Sequence, residues 1–423
     1  MESLSCVSQC YEWGRVGASS AVARLRELSG GGAPDASTPY AELWCGTHPS
    51  GPSRVRSSST LLHDWLLARP DALGVAAYSA ATALPYLLKV LSVGKALSIQ
   101  AHPNAALAAQ LHASRPDLYK DGNHKPEMAV ALTPFDVLCS FRSPLDGAAH
   151  LRRAPELLSL VGAGASDALL AAGDADDASR YATALREWYA QLMSTSPEAL
   201  ASATSALSVR LASDVALNAV ASAQPPSLPS GLTALDADIV AARLLVQYPG
   251  DVGVFSPYFL NALTLAPGTA LFLGAGEPHA YLAGDCVEIM ACSDNVVRAG
   301  LTPKYKDAAT LLSMLTYNVS GSPAVIVPSP GLAPFTRSFC APVPEFRLDH
   351  IELAKGEATH FPAGPSAAIV LVLYGCGRAT ARGTGGAHTL LSEGAVFLQP
   401  ADVIVDIVAE SDGPFIIYRA VVQ

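Results

Sequence analysis

The stretch YFLNALTLAPGTALFLGAGEPHAYLAGDCVEIMACSDN, residues 258–295, decides the fold class, because its apolar runs are short and turn residues separate them. Apolar runs of this length, bounded by Gly, Pro or Asp, are typical of β-strands. They predict three strands, with turns at Pro267–Gly268, at Gly276–Pro278 and at Gly284–Asp285. The stretch therefore favours a β core over alternating strands and helices.

The C-terminal part of the chain continues this texture. The segments AAIVLVLYGCGRATARG (367–383), GGAHTLLSEGAVFLQPADVIVDIVAE (385–410) and GPFIIYRAVV (413–422) are closely spaced β-type runs with turn residues between them. Such spacing is typical of a sandwich or a small barrel. No glycine-rich nucleotide motif follows any of the predicted strands.

A helical block interrupts the β segments. Leu185, Trp188, Tyr189 and Leu192 recur at the spacing of one buried helical face, within a region rich in Ala, Leu, Ser and Glu from 150 to about 220. ASAQPPSLPSGL (221–232) breaks the helices and predicts an exposed connection, and helical spacing resumes in TALDADIVAARLLVQYP (233–249). The fold class is therefore mainly β with an α insertion.

Composition excludes several classes of function. The chain of 423 residues has a formal net charge of −10 and no cluster of lysines and arginines, which argues against nucleic acid or a membrane surface as partner. The first residues resemble no secretory leader, and the apolar runs are too short to span a bilayer. Eight scattered cysteines are typical of reduced thiols, so we expect a cytoplasmic protein.

A possible metal site emerges from residues of the right chemistry. In LSIQAHP (97–103), strand alternation sends Ser98, Gln100 and His102 to one face. With Glu127 and His279, residues Gln100 and His102 make a nitrogen and oxygen donor set that suits Zn²⁺ or another divalent ion. Each residue alone is as well explained as an ordinary hydrogen-bonded side chain, so composition permits the site without proving it.

Charged residues also interrupt the apolar run after His279. Glu288, Asp294, Arg298 and Lys304 lie where the pattern otherwise predicts buried strand and turn. Buried charges must be paired or functional. The pattern leaves open a functional site and a salt-bridge network at the rim of a β sandwich.

Two long motifs add a resemblance to a known family. YKDGNHKPE (119–127) and HAYLAGDCVEIMACSDNVVRAGLTPK (279–304) resemble the signature motifs of the type I mannose-6-phosphate isomerases. YEWGRVG (11–17), AELWCGTHPSGPS (41–53) and KVLSVGKALSIQAHPN (89–104) resemble further blocks of that family, in the same order. The likeness covers residues 10 to about 320.

The resemblance implies a domain plan. It consists of a catalytic cupin-type β domain in two parts, an inserted helical domain and a C-terminal jelly-roll-like domain. The corresponding ranges are 1–149 and 249–320 for the catalytic domain, 150–248 for the helical domain and 321–423 for the C-terminal domain.

The resemblance also implies a function and a site. It predicts one Zn²⁺ per chain and the interconversion of mannose 6-phosphate and fructose 6-phosphate through a cis-enediol, which would supply GDP-mannose synthesis. The implied zinc ligands are Gln100, His102, Glu127 and His279. Arg298 would stabilise enediolate charge, Lys125 is a candidate for proton transfer with Glu288 and Asp294 as competitors, and the substrate contacts would be Lys89, Ser98, Tyr281 and Lys304.

Three alternatives stand beside this reading. An isomerase of another phosphosugar would use the same chemistry, and a cupin oxygenase is disfavoured because a two-histidine iron site needs neither Gln100 nor Lys125. A non-catalytic sugar-binding cupin would bind the phosphosugar without converting it. We expect a monomer whose partner is a small phosphosugar.

Overall fold

The computed structural model describes residues 1–74, 83–215, 230–383 and 388–423. Most of the connection predicted at 221–232 lies outside the described residues, as does the start of the segment predicted from 385. The N-terminal elements are β1 Glu2–Ser5, β2 Val7–Gln9, β3 Arg15–Val16, α1 Ala21–Arg26, β4 Pro39–Tyr40, β5 Glu42–Gly46, β6 Arg54–Val55, α2 Leu62–Leu67, α3 Pro70–Leu73, β7 Tyr86–Val93, β8 Ile99–Ala101, α4 Ala105–Ser114, β9 Glu127–Ala131 and β10 Phe135–Phe141.

The helical block and the strands that follow it complete the central part. They are α5 Pro144–Arg152, α6 Pro155–Val161, α7 Ala163–Asp174, α8 Ala178–Met193, α9 Pro197–Val215, β11 Leu232–Ala234, α10 Ala237–Gln247, β12 Leu260–Leu265, β13 Ala270–Leu273, β14 His279–Ala291, β15 Val297–Gly300 and α11 Ala308–Met314. The C-terminal strands are β16 Val325–Ile326, β17 Ser329–Pro330, β18 Thr336–Cys340, β19 Arg347–Leu353, β20 Ala358–Phe361, β21 Ala368–Tyr374, β22 Cys376–Ala381, β23 His388–Ser392, β24 Val396–Gln399, β25 Val405–Ala409 and β26 Phe415–Val421.

The central strand is β14, which the opening sequence stretch contains. Its first half pairs with β10, and its second half pairs with β7 and β9, within a sheet of 12 strands. The predicted turns at Pro267–Gly268 and Gly276–Pro278 separate β12, β13 and β14 and are confirmed.

The predicted turn at Gly284–Asp285 is wrong, because the strand continues through it. Pairing of β14 with β10 shifts register between Asp136 and Val137, which is an irregularity in the ladder rather than a reversal of the chain. Gly284 has φ 112°, and a Cβ there would lie 2.5 Å from the carbonyl oxygen of Pro134. Glycine therefore bends this strand without ending it.

The helical block is an insertion between paired strands. Strands β10 and β12 lie on either side of it in the chain, yet they pair from Phe135↔Leu265 to Phe141↔Leu260. The predicted apolar face of α8 is buried, with Trp188 fully inaccessible and packed edge-on against Phe259 at 5.7 Å between ring centroids. Over the described residues, we find no helix with the length and apolarity needed to cross a membrane.

The C-terminal strands form two sheets around a second core. One has eight strands in the order β17-β18-β19-β26-β21-β24-β1-β6, and the other has four in the order β20-β25-β22-β23. Alternate side chains such as Val370, Ile407 and Phe415 fill the space between them. The first strand of the chain belongs here, since Glu2 pairs with Leu398. The fold is mainly β with a helical insertion, as predicted, and the domain limits stay a prediction.

Candidate active site

A cavity of about 1020 Å³ opens beside the bent strand β14. Its walls come from β5, β7, β8, β14, β15 and the segment 247–251 at the end of α10. The predicted site residues that line it are Lys89, Ser98, Gln100, Lys125, Glu127, Tyr281, Glu288, Asp294, Arg298 and Lys304. The two remaining predicted residues, His102 and His279, are buried beside Glu127. The structure therefore brings all the predicted residues to one region.

Strand β8 contains one of the predicted metal ligands, Gln100, and ends at the residue before His102. Ile99 and Ala101 are buried in the apolar core, while Gln100 on the other face lines the cavity. Because Gln100 pairs with His279 of β14 and with Arg298 of β15, one strand sets the spacing of residues 179 and 198 positions further along the chain. The alternation predicted from LSIQAHP is confirmed for this strand.

His102, Glu127 and His279 form a buried cluster whose donor atoms all lie within 4.8 Å of one another. The Nδ1 atoms of His102 and His279 face the backbone carbonyl oxygens of Asn295 and Glu277 at 2.7 and 3.0 Å. When these nitrogens donate, each Nε2 carries a free lone pair. The Nε2 atoms of His102 and His279 lie 3.4 and 3.2 Å, respectively, from Oε2 of Glu127.

This cluster fits a divalent cation. Burial lowers the pKa of His102 to about 4, so its ring is neutral at pH 7 and cannot pair with the carboxylate as an ion. His102 Nε2 and Glu127 Oε2 are buried and have no hydrogen-bond partner among the described residues. Buried acceptors that face one another are costly unless a cation lies between them. The Gln100 amide lies 3.5 Å from His279 Nε2, close enough to add a fourth ligand.

Lys125 is the cation nearest this cluster. Its Nζ lies 2.9 Å from Oε1 of Glu127, and the residue is 8% exposed. Burial raises the pKa of Glu127, but the contacts of this carboxyl, of which that with Lys125 is the largest, outweigh burial and hold its pKa well below its ordinary value. The short spacing of Lys125 and Glu127 in the chain thus places an ammonium group and a ligand carboxylate on the same wall.

A second cluster of charged side chains lies on strands β5, β7 and β14. Lys89 Nζ is 3.1 Å from Glu288 and 3.6 Å from Glu42, and the Tyr281 hydroxyl donates to Glu288 at 3.0 Å. The indole of Trp44 donates to Glu42. Burial raises the pKa of Glu288, whereas the two carboxylates outweigh burial and raise the pKa of Lys89. Lys89, predicted as a substrate contact, is therefore already paired on two sides.

Glu42 is a cavity residue that sequence analysis missed. It lies in β5, where every residue is buried. A glutamate in a strand of otherwise apolar residues was the available signal, since a carboxylate is seldom buried without a partner.

Asp294 lies at the exposed rim. Its side chain is 39% exposed, accepts a hydrogen bond from Ser50 at 3.0 Å and lies 3.5 Å from His48. The expectation that Asp294 and Lys304 continue a buried run is wrong, because both are exposed in the loops that flank β15.

Three cavity cations have no carboxylate partner within the described part of the chain: Lys95, Arg298 and Lys304. Burial lowers the pKa of the half-buried Arg298 from its ordinary value, though a guanidinium remains charged near neutral pH. Lys95, which sequence analysis did not single out, lies 4.3 Å from the ring centroid of Tyr248. These cations are available to an anionic ligand.

Family models match two segments of the chain. Residues 1–144 match the catalytic domain of phosphomannose isomerase type I, and residues 160–260 match the helical insertion domain of the same family. The two segments together make up more than half of the 423 residues.

Curated relatives match nearly the whole length. Mannose-6-phosphate isomerase 2 of Arabidopsis thaliana is 41% identical over 97% of this chain and 91% of its own length. Mannose-6-phosphate isomerase of Bos taurus is 42% identical over 93% of this chain and 92% of its own.

Solved structures show the same fold. The apo form of mannose 6-phosphate isomerase from Salmonella typhimurium is 30% identical, with a TM-score of 0.78 over 100% of this chain and 99% of that chain. A crystal structure of mannose 6-phosphate isomerase bound with zinc and yttrium is also 30% identical, with a TM-score of 0.80 and the same coverage. By sequence and by structure, the chain belongs to the type I phosphomannose isomerases.

Proposed function

We propose that this protein interconverts mannose 6-phosphate and fructose 6-phosphate. The observation that carries the proposal is one cavity whose wall includes Glu127 of the His102, Glu127 and His279 cluster, buried acid–base groups, and cations that have no carboxylate partner among the described residues. Relatives of about 41% identity that bear the name mannose-6-phosphate isomerase support it.

His102, Glu127, His279 and Gln100 would hold one zinc ion per chain. When bound, zinc supplies an electrophile for the oxygen atoms of the sugar. The orphaned Nε2 of His102 and Oε2 of Glu127 support this assignment, and so does the zinc bound in a homologous structure.

Isomerisation requires a group that takes the proton from C2 of the open-chain aldose and returns it to C1. Glu288 is a buried carboxyl with a raised pKa, which as a carboxylate would take the C2 proton, and Lys125 is a buried ammonium next to the metal ligands, which would donate a proton to O1 of the sugar. Both can hold a proton inside the cavity, while Asp294 lies at its rim. We favour Lys125 and Glu288 as the pair that moves protons.

Arg298 would stabilise the enediolate. Negative charge develops on O1 and O2 as the C2 proton leaves, and a guanidinium can donate two hydrogen bonds to those oxygens. No carboxylate of the described residues competes for Arg298. Its charge is therefore free to act on the intermediate.

The phosphate needs cations and hydroxyl donors at some distance from the reacting carbons. Lys304 and Ser98 line the cavity and supply these groups. Tyr281 is committed to Glu288 by a hydrogen bond, so we assign it to orienting that carboxyl in addition to lining the pocket.

The test is conversion of mannose 6-phosphate by purified protein, before chelation, after it and after zinc is returned. We expect activity that is lost on chelation and restored by zinc. Zinc-loaded, folded protein that binds the sugar without converting it would identify a binding module. If the protein converts another phosphosugar and does not convert mannose 6-phosphate, it is an isomerase with a different substrate.

We further propose a cellular setting. The product mannose 6-phosphate would supply GDP-mannose and glycoconjugate synthesis, and eight free thiols favour the cytoplasm. Loss of the protein should lower the cellular GDP-mannose concentration, and added mannose should restore it. Cell fractionation should place the protein in the cytosol.

The protein should be a monomer. Light scattering should give the monomer mass of 43.7 kDa.

A further inference from the structure

In the described part of the chain, the C-terminal sheets contribute no side chain to the wall of the cavity. Among the described residues, every one that lines it lies at or before Lys304. A loop between β18 and β19, residues 341–346, nevertheless reaches the segment 121–126 that carries Lys125. This contact joins the C-terminal sheets to the candidate active site.

The contact is a short hydrogen bond between His124 and Glu345. His124 Nε2 lies 2.7 Å from Oε1 of Glu345, and the two side chains are 29% and 14% exposed. The bond from His124 lowers the pKa of Glu345, so this carboxyl is ionised at neutral pH. Its other oxygen, Oε2, is buried, and no described residue donates a hydrogen bond to it. His124 therefore provides the main compensation for a largely desolvated carboxylate.

Glu345 is fixed in place by its neighbours. Ala341 and Phe346 are buried in an apolar core that also contains Tyr86 of β7 and Met128 of β9. The carbonyl oxygen of Pro344 accepts a hydrogen bond from the backbone of Gln423 at 3.2 Å. A loop held on both sides in this way offers a rigid anchor.

The segment 121–126 has no helix or strand of its own. At its start, Asp121 accepts hydrogen bonds from Ser293 and from the backbone of Asp294, both at 2.8 Å. Near its end, Glu345 holds His124, the residue next to Lys125, and the carbonyl oxygen of Pro126 accepts a hydrogen bond from the backbone of Ala291 at 3.1 Å. The position of Lys125 thus depends on anchors at both ends of an irregular segment.

We propose that Glu345 is a positioning residue that acts through His124 to hold Lys125 in its reactive arrangement. The C-terminal sheets then take part in catalysis without touching the substrate. The inference rests on the proposed isomerase function and on the role of Lys125 in it. Misplacing a catalytic group by about 1 Å can cost roughly 100-fold in rate, so loss of one anchor should be visible in kcat.

The experiment compares Glu345→Ala, Glu345→Gln and the control Glu352→Ala, in the zinc-loaded full chain. Glu352 lies on β19 and pairs with Arg337, and its side chain is 52% exposed. We expect Glu345→Ala to lower kcat about 10- to 100-fold with little change in KM or zinc content. Glu345→Gln keeps an acceptor oxygen for His124 and should retain most of the activity, and the control should match the wild type.

His124→Ala extends the test from the other side of the contact. Its kcat should fall like that of Glu345→Ala, and the double variant should be no worse than either single one. Wild-type kcat in Glu345→Ala, or equal losses in Glu345→Ala and Glu345→Gln, would overturn the inference. Should Glu345→Ala not fold, His124→Ala and Glu345→Gln decide by the same criteria.

A Lys125→Ala variant separates the two proposals. If Lys125→Ala abolishes turnover while Glu345→Ala is fully active, the positioning role fails and the proposed function stands. If Lys125→Ala is itself active, or the wild type does not convert mannose 6-phosphate, the failure lies in the proposed function.

Discussion

Replacing Arg298 by alanine tests the enediolate role most directly. Two opposite unit charges about 4 Å apart interact by about 4 kcal/mol at an effective dielectric constant of about 20. This energy corresponds to about a 10³-fold change in rate. Removing one donor from an oxyanion site costs a similar 10²- to 10³-fold. We therefore expect Arg298→Ala to lower kcat by about two to three orders of magnitude.

The same substitution should leave the fold and the metal site intact. Arg298 makes no ion pair with the described residues, so alanine leaves no buried partner unsatisfied. The free energy of unfolding should change by about 0.5 kcal/mol or less. The matched control is Arg186→Ala, which removes a guanidinium stacked 4.3 Å from the Tyr317 ring and outside the cavity wall.

The assay follows fructose 6-phosphate formation, with kcat and KM separated, and zinc content and thermal midpoint measured on the same samples. A kcat within about threefold of wild type in zinc-loaded Arg298→Ala would refute the enediolate role, because the charge argument demands far more. A rise in KM alone would make Arg298 a phosphate ligand instead.

Two further predictions concern the candidate site, and a third concerns an ion pair in helix α5. Gln100→Ala and His279→Ala should lose zinc on dialysis, measured by metal analysis, while wild-type zinc retention in His279→Ala would contradict the assigned ligands. Lys304→Ala should raise KM for mannose 6-phosphate roughly 10-fold with kcat unchanged, because it loses one charge-assisted contact; a fall in kcat instead would contradict the phosphate role. Burial opposes ionisation of Asp146, but His150 and Arg142 outweigh it and lower the pKa of Asp146 to about 2. Since the pKa of Asp146 is lower in the folded than in the unfolded state, its contribution to the free energy of unfolding is present above about pH 4 and lost as pH falls through about 2. Denaturant titrations of Asp146→Asn should show a free energy of unfolding about 2 kcal/mol below that of the wild type at pH 7. A difference that did not shrink below pH 4 would contradict this.

Local pattern was sufficient for elements whose burial is visible in the chain itself. The apolar face of Trp188 and the alternation around Gln100 both follow from the period of a helix or a strand. The turn at Gly284 failed because glycine marks bends and bulges inside strands as readily as it marks turns. Whether such a glycine lies in a turn or inside a strand depends on pairing with the neighbouring strand.

The candidate site was harder to predict from the sequence, because its residues come from distant parts of the chain. Donor chemistry and strand alternation only permitted the four ligands, and the resemblance to a known family supplied their assignment and the roles of the other residues. Sequence reasoning alone missed Glu42 and Lys95, and nothing in the pattern links Glu345 to His124, 221 residues earlier. Long-range strand pairing sets these neighbours, and alternation does not reveal which strands will pair.

The pairing of strand β14 along its whole length has a consequence for local unfolding of the sheet. Strand β14 is hydrogen-bonded to β10 over its first half and to β7 and β9 over its second, so its amides should be among the slowest to exchange with deuterated water. His279 and Glu288 both lie on this strand. A backbone movement that displaces either residue must then break pairing on this strand, and the residence time of a metal on His279 would be tied to that rare event.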